Sequence, residues 1–176
     1  SPFALELFQT YGYFTETIRP GFRIVVLNTQ YQDPINFFLY KNLTDPGNQL
    51  HWLENVLSQA QLNNEKVIIL GHIPPGIVDE SPAPESLPTY NTAATKIVEK
   101  YQNLIIGQFY GHTHEDSFRI WTDTATGTIP TSVAYISPAV TTWEKQNSAV
   151  RLLQIDPKTF ELVDMLTYYS NITEAN

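Results

Sequence analysis

Apolar positions along the first two thirds of the chain alternate between two periods. Residues 11–18 (YGYFTETI) and 22–29 (FRIVVLNT) are rich in aromatic and β-branched residues around a turn at 19–21 (RPG), which predicts a pair of strands. Between them and the next apolar run, Leu50, Leu53, Leu57 and Ala60 recur at helical spacing. Asp45 is a suitable N-cap for that helix, Pro46 suits its first turn, and Asn63 and Asn64 are its stop signals. Residues 66–70 (KVIIL) are a short, wholly apolar run, the pattern of a strand buried on both faces. Five of the twelve prolines fall in 74–88, which therefore reads as loop. A second helix is expected over 91–103, capped by Asn91, with Ala94, Ile97, Val98 and Tyr101 on one side, followed by a strand at 104–110. Beyond this point the pattern is strands alone, at 117–123, 131–137, 149–156 and 160–169. The fold class expected is α/β: an α/β first part followed by antiparallel β-strands, in one domain over residues 1–176.

Composition narrows the chemistry. A net charge of −8, with ten scattered basic residues, argues against a nucleic-acid polymer as partner. No apolar run approaches the ~20 residues of a transmembrane helix. The N-terminal stretch lacks the basic and small-residue marks of a signal peptide. It also lacks an initiator Met, so a cut or trimmed chain is expected. With no cysteine, any zinc must be held by His and carboxylate ligands. Sequons at Asn42 and Asn171 point toward the secretory route and mark candidate glycosylation sites.

Two stretches share one build. In KVIILGHIPPG (66–76) and IIGQFYGHTHEDSF (105–118) an apolar strand leads into Gly and then His: Gly71–His72 and Gly111–His112. Each histidine thus falls where a loop leaves a sheet strand, the edge where α/β sheets place ligands. Imidazole is a common ligand of zinc and iron. His112 and His114 lie two apart, so an extended segment would aim both into one cleft. The fourth histidine, His51, lies in the first predicted helix and reads as a surface or packing residue.

These stretches carry a resemblance. GHIPPG followed by GQFYGHTHEDSF is similar to the C-terminal half of a calcineurin-like metallophosphoesterase, and more narrowly to the acid sphingomyelinase-like phosphodiesterases. RIVVLNT (23–29), LTDPGNQLHWLENVL (43–57), ISPAVTTWEKQNSAVRLLQID (136–156) and YYSNITEAN (168–176) match that group in the same order. The resemblance implies a β-sandwich with flanking helices. It also implies hydrolysis of phosphodiesters, sphingomyelin or nucleotide-type, at two zinc ions bridged by an aspartate, which supply a hydroxide nucleophile. His72 and His112 resemble ligands of one ion and His114 a ligand of the other. Asp116 falls on a recurrent acidic position and is a candidate either for orienting a histidine or for capping the loop.

The remaining ligand motifs of that group, Asp-x-His, Gly-Asp and Gly-Asn-His, do not occur in this sequence. The last also supplies the general-acid histidine, so no catalytic residue is assigned in this chain. The domain is expected to be partial, its N-terminal half absent, inactive alone, and weak or lacking in zinc binding. An apolar sheet edge or face exposed in this way must be covered by a partner such as the missing half, by a second copy in a homo-oligomer, or by a rearranged fold. The expected compartment is secreted or lysosomal. Two readings stay open: a metal-dependent phosphodiesterase, or a non-catalytic secreted binding domain that keeps the fold.

Overall fold

The computed structural model describes residues 1–41, 44–76 and 84–174. Helix α1 (Pro2–Tyr11) opens the chain, followed by β1 (Phe14–Arg19), β2 (Phe22–Val26), α2 (Gln49–Leu62) and β3 (Lys66–Leu70). Helix α3 (Pro88–Lys100), β4 (Ile105–Tyr110), β5 (Ser117–Thr122), β6 (Pro130–Ile136), β7 (Ala149–Ile155) and β8 (Leu162–Tyr169) complete it. Six strands form one sheet in the order β1-β2-β3-β4-β6-β5, and β7 pairs with β8 in a second sheet. The centre of the large sheet is parallel: Ile24 pairs with Ile68, Ile69 with Gln108, and Phe109 with Tyr135. Both its edges are closed by antiparallel partners, β1 on β2 and β5 on β6. β6 is thus the hinge between the α/β part and the strands that follow, antiparallel to β5 and parallel to β4.

The large sheet is covered on both faces. On one, α2 and α3 bury Leu50, Leu53, Leu57, Ile97 and Val98 against Val25, Val67 and Ile69. Leu53 and Leu57 are 2% and 0% exposed, and burying each contributes about 1.5–3 kcal/mol. On the other face, Phe22, Ile68 and Phe109 pack with Leu153, Ile155 and Met165 of the second sheet. The inward residues of β7 and β8 alternate with outward ones, as the two-residue strand period requires. Val150, Leu152, Leu166 and Tyr168 therefore face solvent.

Local departures from the sequence reading have physical causes. The first strand begins at Phe14 rather than residue 11, because the preceding residues are helical: the Ser1 hydroxyl accepts from Ala4 N–H, Pro2 opens the helix, and Gly12 ends it at φ 77°. Asp45 does cap α2, its carboxylate accepting from Leu50 and His51 N–H at 2.8 and 3.1 Å. It does so across a short 3-10 turn, Pro46–Asn48, so the regular helix starts at Gln49. Helix α3 starts at Pro88, not at an Asn91 cap; Asn91 N–H is already bonded to Leu87 O inside it. The proline-rich stretch is irregular at 74–76 and 84–87; the rest of it, 77–83, lies outside the described residues. The Asn42 sequon lies at the edge of another such segment and is likewise outside them.

Candidate metal centre

The strands β3 and β4 run parallel and end side by side, so their following loops leave at the same edge. Gly71 N–H donates to Phe109 O, and Gly111 N–H donates back to His72 O at 2.9 Å, which stitches the two loops together. Gly71 is needed for close approach: a β-carbon there would stand 2.7 Å from the Tyr110 ring and 2.8 Å from the Thr29 methyl. Gly111 has no such crowding. The positive φ angles fall instead on the histidines, 75° at His112 and 64° at His114. Thr113 N–H donates to Gly111 O at 2.9 Å, so His112 is the central residue of a γ-turn with positive φ, a rare and strained form. The segment is therefore not the extended one expected from the sequence, because the Thr113-to-Gly111 bond turns the chain at His112.

This turn brings two rings together. His112 Nδ1 lies 3.4 Å from His72 Nε2, with ring centroids 5.2 Å apart and planes at 81°. Two nitrogens bound at ~2.0–2.1 Å to one tetrahedral zinc stand about 3.3–3.4 Å apart. The spacing of the two imidazole nitrogens thus fits two ligands of a single ion. His72 reaches solvent, yet its pKa lies below that of ordinary imidazole. Partial desolvation is the main cause, and charge on His112 and then on His114 adds to it. His114 is half-buried, and its carbonyl accepts from Ala139 N–H at 3.3 Å. Among the described residues, no group of three or more His, Cys, Asp or Glu side chains is gathered to hold one metal ion. His51 is exposed on α2, its ring beside Asn55 at 3.1 Å, and among the described residues it makes no hydrogen bond or ring contact with the other three histidines.

Asp116 does not orient a histidine directly. Its carboxylate accepts from the Arg151 guanidinium and, at 3.1 Å, from the Thr167 hydroxyl. The Arg151 bond is the main cause that holds its carboxyl below the usual carboxylate range. Sequence reasoning also missed Thr29. Its buried hydroxyl accepts from His72 and Ile73 N–H at 3.2 and 2.9 Å, and so fixes the first histidine's backbone. Gln32 supports the same loop, donating to Ile73 O at 2.7 Å. The signal available was a Thr and a Gln just after a strand that neighbours β3; neither carries a motif. Asn171 is half-buried at the start of a turn, where its side-chain oxygen accepts from Thr173 N–H.

A mixed sheet with helices on one face, a second sheet on the other and paired histidines at the ends of adjacent parallel strands defines a class of fold. It is that of the dimetal phosphatases: a dimetal phosphatase from Danio rerio superposes with a TM-score of 0.51, at 16% identity, over 77% of this chain and 56% of that one. No family model matches the sequence. Individual relatives narrow the class. Sphingomyelin phosphodiesterase A of Dictyostelium discoideum is 43% identical over 175 residues, 98% of this chain and 29% of the relative. The cyclic GMP-AMP phosphodiesterase of Homo sapiens is 40% identical over 98% of this chain and 40% of its own length. Sphingomyelin phosphodiesterase of Bos taurus is 38% identical over 98% and 27%. The chain is thus a homologue of the sphingomyelin phosphodiesterases and their phosphodiesterase relatives over nearly all its residues, while spanning well under half the length of each of these three relatives.

Proposed function

We propose that this chain contributes the histidine side of a two-metal phosphodiesterase centre, with zinc as the metal. His72 and His112 would hold one ion through Nε2 and Nδ1, and His114 would serve the other. When bound, such ions polarise the phosphoryl oxygens and supply a hydroxide nucleophile. The residues of this chain do the holding: Thr29 fixes the His72 backbone, and the Gly111-to-His72 bond sets the distance between the two rings. The observation that carries the reading is the 3.4 Å approach of the two ring nitrogens at the ends of parallel strands. Three histidines without a bridging carboxylate leave each shell incomplete. The domain is therefore read as partial, its N-terminal half and general-acid histidine supplied elsewhere, and inactive by itself. The substrate class is a phosphodiester, sphingomyelin or nucleotide-type, as the names of the relatives suggest.

A secreted or lysosomal setting, with a glycan on Asn171, fits the same reading. No helix among the described residues is long and apolar enough to cross a membrane. The outward face of Val150, Leu152, Leu166 and Tyr168 offers a surface for the complementary half or a second copy to cover. The test is zinc titration by calorimetry at pH 7.5 and pH 5, alongside a His72→Ala/His112→Ala variant. Weak binding at the higher pH should vanish in the variant and fall at the lower pH, where protons compete with the metal for the imidazole nitrogens. Binding unchanged in the variant would overturn the assignment. Turnover of a chromogenic phosphodiester by the chain alone would overturn the inactivity.

A further inference from the structure

We infer that Arg151, on β7, is the positioning residue for His114, acting across the gap between the two sheets. The inference rests on the reading of His114 as a metal-side histidine. The Arg151 side chain is 7% exposed and divides its donors among three elements. Nη2 bonds the Asp116 carboxylate in the loop after the histidines. Nη1 donates to Ile136 O at the end of β6, and Nε donates to the Thr167 hydroxyl on β8, each at 3.3 Å. Thr167 in turn donates to the other oxygen of Asp116. The loop is therefore held from both ends. Upstream, Gly111 and His112 are tied to His72 and so to the large sheet. Downstream, Asp116 stands two residues after His114 and is tied to the second sheet. His114, at φ 64°, is the middle one of the three residues between these two anchors. A planar fork is needed to reach three acceptors in three directions, and a lysine ammonium cannot reproduce it.

The test uses ring resonances of the three histidines in long-range proton–nitrogen spectra of the metal-free protein, then under zinc titration. Two variants are compared with the native chain: Arg151→Lys, which keeps charge but not the fork, and Asp116→Asn, a near-isosteric change at a half-exposed side chain. The expected result is that His114 resonances shift in both variants while those of His72 and His112 stay in place. Under titration, the zinc concentration needed to half-shift the His114 signals should rise about 10- to 100-fold, the usual effect of losing an outer partner of a ligand. If zinc moves no histidine signal even in the native chain, the metal reading fails, while the metal-free spectra still decide the positioning role. His114 signals that match the native ones in both folded variants would overturn the inference. So would equal shifts of all three histidines, or unfolding of both variants, since either would make Arg151 a general stability element.

Discussion

The backbone at His112 makes a quantitative prediction. A non-glycine residue held at positive φ in a γ-turn costs roughly 1–3 kcal/mol. Replacing it by Ala keeps the β-carbon and so keeps that strain, while removing the imidazole. Replacing it by Gly removes both, at a cost of about 0.5–1 kcal/mol in unfolded-state entropy. His112→Gly should therefore be more stable than His112→Ala by about 0.5–2 kcal/mol. For a domain of 150–250 residues each kcal/mol moves Tm by about 2–4 °C, so a centre value near 1 kcal/mol is readily measured. The assay is thermal and urea unfolding of the two variants without metal at pH 7.5, with unchanged m-values as a check that the comparison is of folded states. The same pair at His114, φ 64°, should show the same sign. An ordinary loop residue would give the opposite order, Ala above Gly. That order at both positions would refute the claim that strain is stored under the histidines.

Three further outcomes follow from the surrounding contacts. The Asp123 carboxylate gathers the backbone N–H groups of Thr126, Thr128 and Ile129, and chiefly the Ile129 bond holds its carboxyl far below the usual range. Its folded pKa is depressed, so the stability it contributes is present above the unfolded value of about 3.9 and is lost as pH falls toward the folded one. Asp123→Asn should flatten that acid limb in urea titrations between pH 5 and pH 2, and an unaltered slope would exclude the role. Glu85 and Arg119 form a buried pair, 3% and 12% exposed, that also holds Pro75 O beside the His72 loop. Glu85→Gln alone should cost about 3–5 kcal/mol, and the Glu85→Leu/Arg119→Met double change much less; equal losses in a double-mutant cycle would contradict this. Leu57→Ala, at a fully buried site on α2, should cost about 2–5 kcal/mol in the same urea assay, and a loss under 1 kcal/mol would mean that the helix does not pack as described.

How far the sequence could be read depended on whether a signal was local. Strand runs such as 66–70 and the stripe Leu50, Leu53, Leu57, Ala60 needed no distant information, and they became β3 and the buried face of α2. The first helix also carried local signals, Ser1, Pro2 and Gly12, but they were masked by the aromatic run into which the helix leads. The pairing of His72 with His112 followed from two similar strand endings. The positive φ at His112 did not, because it belongs to a γ-turn closed by Thr113 N–H on Gly111 O that no turn residue in the sequence announces. The Asp116 contact with Arg151 was hidden because its partner lies in a different sheet, 35 residues later.

These bonds explain why the two Gly-His stretches differ in kind despite their similar spelling. After β3 the chain stays relaxed, because the Thr29 hydroxyl satisfies two backbone donors and Gly71 makes room for Tyr110. After β4 the chain cannot stay relaxed. It brings His112 Nδ1 to His72 Nε2 and, two residues later, takes positive φ again at His114 before Asp116 reaches Arg151. Glycine at 112 or 114 would suit the backbone better, yet histidine stands at both positions. Positive φ at two histidines of one short loop is the kind of backbone outlier that clusters at functional sites, and it supports the proposed role of the imidazoles independently of any likeness to other proteins.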